Sequence, residues 1–450
     1  MKKLSLTIVL TLMMTMLAAC GGSNGNSGNG NSNDTASNQQ AASVSNSSPT
    51  QNASPTTTEK KTIDFWHSMG GANGERVDAM VQRFNESHDH IEVVATFQGG
   101  YDETVTKLQQ SIASGTGPDV SMLERAYVQM FSDSEVLADL TPFMQSTGLE
   151  ESAFIEGLMG HSYFNDKLVS LPLNRSTPIM HVNKSILGEL NLNVPTTWEE
   201  LKTVTNAVIQ KNGNDITRYG MSMPYDTWYP LAMITQSNSS FFDEEGTTVP
   251  FVDDGTGEKV FSFLKDLQST GALFYPPSAD SGNIVTGMFR EGKIAILYQS
   301  TGSIGGLIEN VDFDYVTAFL PQNDKFATPT GGANVVMLEG SDDKDAAWEF
   351  MNWMLTNDQG ALPFIVDSGY LPVTHAMIES EMIKSQWEKE PVRQTAYEQL
   401  AYAIDTNKDI AWPSIMHEFF SAIEAIMYDS EDIPSTLQTF KKEAERLLAE

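Results

Sequence analysis

The feature that most constrains the fold is a regular alternation of strand-like and helix-like segments that begins at residue 62. Residues 62–66 (TIDFW) are β-prone, and residues 74–88 carry apolar side chains on one helical face. Residues 91–97 and 119–123 predict two more strands, with a second helix over residues 102–113 between them. A β-α-β-α-β start indicates an α/β fold with a parallel sheet and helices on both faces.

The rest of the folded part keeps this alternation. Thr197 and the glutamate three residues later form a capping box that predicts a helix start. Residues 293–298 (KIAILY) predict a buried strand, residues 334–338 another, and the last helix begins near Ser435. No internal repeat is evident. Removing 60 N-terminal residues from 450 leaves 390, a length that favours two domains.

The N-terminus predicts export and lipid anchoring. A short cationic start precedes an apolar run over residues 4–17, too short to remain as a membrane helix, and the run ends in Leu-Ala-Ala-Cys. This pattern resembles a lipobox, so residues 1–20 are interpreted as a lipoprotein signal peptide with Cys20 as the lipidated residue. Cys20 is the only cysteine, which leaves no disulfide or thiolate metal site in the mature chain. Residues 21–60, rich in Gly, Asn and Ser, predict a disordered tether.

Charge and histidine content narrow the classes of partner. The formal net charge is −32, which argues against nucleic acid or an anionic membrane surface as a partner. His88 and His90 lack the further ligands that zinc requires, so no metal is expected. No cofactor is expected, and the chain is predicted to be a monomer that touches the membrane only through its lipid.

The loops that directly follow predicted strands are the candidate ligand-binding segments. Open parallel sheets bind ligands beyond the carboxyl ends of their strands, so several such loops would meet in one cleft. Each candidate is rich in glycine, hydroxyl groups or aromatic rings. The segments are residues 66–71, 99–101, 124–125, 174–178, 300–303, 331–334 and 368–372.

Four motifs give the chain a likeness to a known family. They are FWHSM at 65–69, QRFN at 82–85, NRSTP at 174–178 and GYLPVT at 369–374. In this order they resemble the family 1 extracellular solute-binding proteins of ABC importers, above all the sn-glycerol-3-phosphate-binding members. The resemblance implies a two-lobe, periplasmic-binding-protein-like fold of type II, with a hinge crossed several times and a ligand cleft between the lobes. It places lobe 1 at 61–178 plus 323–372 and lobe 2 at 179–322 plus 373–450.

The resemblance also implies a set of ligand contacts. In such a site a glutamate accepts hydrogen bonds from two ligand hydroxyls, and serine hydroxyls donate to phosphate oxygens. A glycine allows close approach of the backbone, and tyrosines offer a ring face and an O–H. The residues at the matching positions are Tyr101, Glu124, Ser176, Ser300, Gly332 and Tyr370.

One position departs from the family pattern. The glycerol-phosphate members carry an arginine late in the second lobe that pairs with phosphate, and this chain has Met416 there. Methionine cannot form that bidentate, charge-assisted pair, and a hydrogen bond to a charged group is worth about 1.5–3 kcal/mol. Arg125 and Arg175 are candidates to compensate, and Trp228 could stack on a ligand. The additional candidate contacts are therefore Trp66, Arg125, Arg175, Trp228 and Met416.

The expected function is the lipid-anchored, extracytoplasmic binding component of an ABC importer. It would bind glycerol-3-phosphate or a glycerophosphodiester and pass it to a transmembrane permease. The alternative ligand is a neutral oligosaccharide or glycoside. A lipid-anchored glycoside hydrolase is a remote alternative, because a pair of catalytic carboxylates has no fixed sequence signature. No HExxH motif is present, so the chain is not expected to be an enzyme, and a sensor co-receptor or adhesin forms a third class.

Overall fold

The structure, a computed structural model, describes residues 60–404 and 409–450. The predicted signal peptide, Cys20 and all but the last residue of the predicted tether lie outside these residues. The strands are β1 (Lys61–His67), β2 (Ile91–Phe97), β3 (Val120–Glu124), β4 (Tyr163–Phe164), β5 (Lys167–Leu168), β6 (Leu171–Ser176), β7 (Pro178–Asn183), β8 (Gln210–Asn212), β9 (Asp215–Ser222), β10 (Leu273–Phe274), β11 (Ile294–Ser300), β12 (Tyr315–Ala318), β13 (Thr328–Pro329), β14 (Gly331–Met337) and β15 (Ala403–Ile404).

The α-helices are amphipathic segments that alternate with these strands. They are α1 (Gly71–Ser87), α2 (Tyr101–Ser114), α3 (Val128–Asp133), α4 (Thr141–Thr147), α5 (Lys184–Glu189), α6 (Trp198–Ala207), α7 (Trp228–Thr235), α8 (Pro250–Asp253), α9 (Thr256–Thr270), α10 (Ser281–Arg290), α11 (Ile304–Ile308), α12 (Lys344–Thr356), α13 (Ala361–Ser368), α14 (His375–Glu379), α15 (Glu381–Lys389), α16 (Pro391–Glu398), α17 (Trp412–Met427) and α18 (Ile433–Leu448). Short 3₁₀ helices include Arg125–Tyr127, Thr301–Ser303 and Gln399–Tyr402.

The first sheet has the strand order β2-β1-β3-β14-β6. β1 pairs in parallel with β2 and β3, which confirms the parallel sheet predicted from the first five segments. β14 runs antiparallel to both of its neighbours, β3 and β6. Because of that reversal, the first residues of β14 lie at the edge where β3 and β6 end.

The second sheet has the strand order β10-β9-β11-β7-β12, with β8 paired to β9. β9 is parallel to β10 and β11, whereas β7 is antiparallel to β11 and β12. The end of β11 meets the beginning of β7, where Ser300 lies opposite Pro178. β7, the first strand of the second sheet along the chain, therefore begins two residues after β6 of the first sheet ends at Ser176.

Each sheet supports its own apolar cluster, because the helices bury one face against it. On the first sheet, the rings of Phe84 (α1) and Phe350 (α12) meet edge to face at 5.1 Å. On the second, Phe419 (α17) and Phe440 (α18) lie 5.2 Å apart. Among the described residues, no helix is both long and apolar enough to cross a membrane.

Three segments join the two sheets. The first is Thr177, between β6 and β7, and the second is residues 319–330, between β12 and β14. The third lies between Ile383, which packs in the first cluster, and Trp412, which packs in the second. The lobe boundaries given above (61–178 with 323–372, and 179–322 with 373–450) stay a prediction.

Local sequence patterns predicted most helices and strands to within a few residues of their observed bounds. The capping interaction at α6 is confirmed, because the Thr197 hydroxyl accepts a hydrogen bond of 3.2 Å from the Glu200 amide. Two segments expected to be loops are strands instead: residues 174–176 end β6, and residues 331–334 begin β14. Their polar side chains are buried at the sheet edge, so a polar composition did not mark a solvent-exposed loop there.

Candidate functional site

The six residues expected to contact ligand converge on one edge of the first sheet. In the register of the sheet, Glu124 lies opposite Ala333, and Ser176 lies opposite Gly331. The chain then crosses at Thr177 into the second sheet, where the Thr301 amide donates to the Thr177 carbonyl at 3.0 Å. The strand pairing therefore brings Glu124, Ser176, Gly332 and Ser300 to the crossing between the sheets.

Tyr101 and Tyr370 are tied to the same edge through Asn174. The Asn174 Nδ2 group donates to the Tyr101 hydroxyl at 2.8 Å. Tyr370 precedes Leu371, whose amide donates to the Arg175 carbonyl at 2.8 Å. Burial raises the pKa of both tyrosines, so both hydroxyls keep their protons at neutral pH. The pair thus presents two neutral O–H groups beside β6.

The Glu124 carboxylate lies at the end of β3 and is mostly buried. Burial raises the pKa of Glu124, while Arg125, the Ala126 amide and Arg175 oppose that rise. Its Oε2 accepts from the Ala126 amide at 2.8 Å, and its Oε1 lies 3.9 Å from the Arg125 Nε. An ionised carboxylate has about four acceptor positions, so this one keeps capacity for the hydroxyls of a ligand.

Gly332 is held in a conformation that favours glycine. Its φ is +88°, in the left-handed region, and a Cβ atom there would lie 2.0 Å from the Asn174 carbonyl oxygen. The backbones of β14 and β6 therefore approach too closely for any side chain. Ser300 has a related local role: its hydroxyl accepts from the Gly302 amide at 3.2 Å and begins the 3₁₀ turn that faces Tyr370.

Arg175, a candidate for the missing phosphate-binding arginine, is bonded within the protein. Its side chain is fully buried and donates four hydrogen bonds of 3.0–3.1 Å to the protein. The acceptors are the carbonyls of Gly331 and Leu158, the Asn334 Oδ1 and the Thr330 hydroxyl. With these donors engaged, the guanidinium holds β6 and β14 together, and contact between Arg175 and a ligand stays a prediction.

The remaining candidates lie in different surroundings. Arg125 is buried beside Glu124 in a 3₁₀ turn against which α17 packs, and α17 carries the half-buried Met416. The Trp228 ring lies against Gly331, where an added Cβ would be 2.5 Å from its Cζ2. Trp66 packs against the apolar cluster around Leu108 and has no recorded hydrogen bond or ring contact with the six residues. Ligand contact by all four stays a prediction.

Three polar residues of the site were not singled out by sequence reasoning. Asn174 is fully buried, and its Oδ1 has no hydrogen-bond partner. Asp102 accepts from the Tyr127 hydroxyl at 2.8 Å, and Asp226 accepts from the Trp228 amide at 2.9 Å. Burial raises the pKa of Asp226, and the carboxylate of Asp102 raises it further. Asn174 lies within a segment marked by the sequence analysis, Asp102 lies next to one, and Asp226 lies two residues before the candidate Trp228.

Two other features of the described residues lie outside this site. No group of three or more His, Cys, Asp or Glu side chains within residues 60–404 and 409–450 could hold a metal ion. A shallow surface groove between α1 and β2, lined in part by Asp78, Gln82 and Glu86, contains none of the six residues. The groove therefore adds nothing to the candidate ligand contacts.

Known proteins share sequence similarity with this chain. Residues 79–391 match the family described as bacterial extracellular solute-binding protein. The sn-glycerol-3-phosphate-binding periplasmic protein UgpB of Pectobacterium atrosepticum is 26% identical over 362 residues, covering 75% of this chain and 79% of that protein.

Solved structures extend the similarity to the fold. The Listeria monocytogenes ABC substrate-binding protein Lmo0181, in complex with cycloalternan, superposes with a TM-score of 0.78 at 21% identity, covering 87% of this chain and 100% of that one. UgpB of Mycobacterium tuberculosis, in complex with glycerophosphocholine, gives a TM-score of 0.77 at 21% identity, covering 87% and 99%. The predicted two-lobe α/β fold is confirmed, and the likeness to the glycerol-3-phosphate-binding proteins is borne out. The chain belongs to the bacterial extracellular solute-binding protein family.

Proposed function

We propose that this chain is the substrate-binding component of an ABC importer and captures glycerol-3-phosphate or a glycerophosphodiester outside the cytoplasm. The observation that carries the proposal is the meeting of Glu124, Ser176, Ser300 and Gly332 where the chain crosses between its sheets. The names of the curated relatives support the ligand class. The captured solute would then pass to a transmembrane permease.

The chemistry of the site fits the glycerol end of such a ligand. The Glu124 carboxylate can accept hydrogen bonds from adjacent hydroxyls of the ligand, and Tyr101 and Tyr370 add two neutral O–H groups. The hydroxyls of Ser176 and Ser300 donate to phosphate oxygens. Because the contacts come from both sheets, a bound solute stabilises the closed arrangement of the lobes relative to the open one.

A neutral oligosaccharide or glycoside is the second candidate ligand, and the charges of the site favour it. Arg175 is occupied by the protein, and position 416 is methionine. The carboxylates of Asp102 and Asp226 add negative charge near the site, which opposes a phosphate. The Listeria protein with this fold was solved with a cyclic oligosaccharide, cycloalternan.

Isothermal titration calorimetry decides between the two ligand classes. The mature chain is titrated with glycerol-3-phosphate, glycerophosphocholine, maltose and maltotriose. Binding of phosphate esters alone supports the first ligand class, and binding of sugars alone replaces it with the second. If none of them binds and a glycoside is turned over in a parallel assay, the chain is an enzyme and the transport proposal fails.

Glu124→Ala tests the site independently of the ligand's name. We expect affinity for the bound solute to fall at least about tenfold, the scale of one hydrogen bond to a charged group. Glu75→Ala is the matched control, because Glu75 is an exposed glutamate on α1 outside the site. Equal affinity for Glu124→Ala and Glu75→Ala would mean that the six residues do not contact ligand.

Lipid anchoring through Cys20 is the remaining part of the proposal, together with the signal at 1–20 and the tether at 21–60. The Leu-Ala-Ala-Cys sequence supports it. Cys20→Ala should move the protein from the membrane fraction to the medium and abolish incorporation of labelled palmitate. Unchanged membrane association of Cys20→Ala would contradict the anchor and leave solute binding unaffected.

A further inference from the structure

We propose that Gln399 is the positioning residue of the hinge and sets the balance between the open and closed lobes. Its side chain is 2% exposed and lies in the third segment that joins the two sheets. The Nε2 group donates to the Thr177 hydroxyl at 3.1 Å, in the first joining segment, and to the carbonyl of Pro178, which directly follows it, at 2.8 Å. The Oε1 atom accepts from the Leu320 amide at 2.8 Å, in the second. One amide therefore connects all three segments.

The surrounding contacts make this connection a buried polar network. Thr328, also in the second segment, donates from its hydroxyl to the Pro178 carbonyl at 3.3 Å and lies 3.5 Å from the Gln399 Nε2. β13 and β15 pair in parallel beside it, with Thr328 opposite Ala403. Thr177 and Thr328 have no exposed surface. Hydrogen bonds thus join all three segments at this point, and beside them the rings of Phe319 and Phe326 in the second segment contact Tyr402 in the third at 5.7 and 5.3 Å.

Directional bonds constrain a hinge more tightly than apolar packing does. Apolar side chains can slide past one another with little change in free energy, whereas a buried donor or acceptor that loses its partner costs about 1–3 kcal/mol. A rotation that separates residues 177–178 from Gln399 would break both Nε2 bonds and leave the Pro178 carbonyl with only the 3.3 Å bond from the Thr328 hydroxyl. The allowed lobe motions are therefore those that keep the Gln399 bonds, and the amide fixes the relative free energies of the lobe arrangements.

Solute affinity, which depends on the proposed function, is one of two quantities that Gln399 should change. If only a fraction of the free protein is competent to bind, the apparent dissociation constant rises in inverse proportion to that fraction. Loosening the hinge should therefore weaken binding although Gln399 is not one of the proposed ligand contacts. The distribution of lobe arrangements in the free protein changes as well, and that readout needs no ligand.

The test compares Gln399→Leu with Gln394→Leu, its exposed neighbour on α16. Small-angle X-ray scattering gives the radius of gyration of each protein, free and with whichever of glycerol-3-phosphate, glycerophosphocholine or maltose the wild type binds. Gln399→Leu should change the free scattering profile and raise the dissociation constant roughly tenfold, equivalent to one net hydrogen bond. Gln394→Leu should match the wild type in both measurements.

Two outcomes would overturn the proposal. One is a Gln399→Leu variant with wild-type scattering and affinity; the other is a lower melting temperature with both quantities unchanged, which would make the residue merely structural. If Gln399→Leu does not fold, Gln399→Glu and Thr328→Val replace it, because the first keeps the acceptor for Leu320 and the second removes one hydroxyl. If the wild type binds none of the three solutes, the proposed function fails, and the scattering of the free proteins still decides the role of Gln399.

Discussion

Replacing Arg175 by methionine tests whether this arginine stabilises the fold or binds the ligand. The guanidinium donates to four acceptors in the protein, and methionine fills much of the same volume without donating. Each buried acceptor left without a partner costs about 1–3 kcal/mol, so four imply a loss of at least about 4 kcal/mol in the free energy of unfolding. That is a large share of the roughly 5–15 kcal/mol typical of a folded domain.

Urea unfolding followed by far-ultraviolet circular dichroism measures this loss. Arg175→Lys should recover part of it, because an ammonium has three donors but not the planar spread of a guanidinium. Arg290→Met is the matched control: Arg290 is exposed and makes one bond of 3.3 Å, to the Gly306 carbonyl, so its loss should stay within about 0.5 kcal/mol. If Arg175→Met unfolds at the wild-type urea concentration and instead loses affinity for glycerol-3-phosphate, Arg175 binds the ligand and the structural assignment is wrong.

Three further changes have defined outcomes. Gly332→Ala should reduce solute affinity more than tenfold by calorimetry, because its Cβ would lie 2.0 Å from the Asn174 carbonyl oxygen and φ is +88°; wild-type affinity would refute the close approach. Burial lowers the pKa of His181 from 6.5 to about 4. The contribution of the neutral ring to the free energy of unfolding is therefore complete above pH 6.5, and up to about 3 kcal/mol of it is lost as the pH falls towards 4. His181→Asn should flatten that part of the stability profile, and an unchanged slope would assign it to other groups. Met416→Arg should tighten binding of glycerol-3-phosphate about tenfold and leave maltose unaffected; equal effects on both would place residue 416 away from the phosphate.

Local periodicity explains why much of the architecture followed from the sequence. The apolar residues of α1 recur with helical spacing, and β1 to β3 are short β-prone runs separated by helices, so their identities depend on neighbours in the chain. The parallel pairing of β1 to β3 then follows from the right-handed connections between them. The motifs around Ser176 and Tyr370 likewise carried the resemblance to a solute-binding family, because each is a continuous stretch.

The hydrogen-bond partners of individual polar side chains could not be predicted from such local patterns. Arg175 and its partner Gly331 are separated by 156 residues, and Gln399 lies 221 residues from Pro178. Asn174 was marked only as part of a motif, although its amide holds the Tyr101 hydroxyl in place. Whether a buried donor meets a protein acceptor or a ligand depends on which distant segments meet it, and no local pattern records that.

The sequence alone therefore determined the class of fold, the family and the segments that meet at the site. Those properties arise from the spacing of hydrophobic residues and from short motifs, both of which involve residues close together in the chain. The tertiary structure decided that the Arg175 guanidinium links β6 to β14 and that residues 331–334 begin a strand. It also decided that the Gln399 amide connects the three segments that join the sheets. These depend on hydrogen bonds between segments far apart in the chain, which exist only once the two sheets are in place.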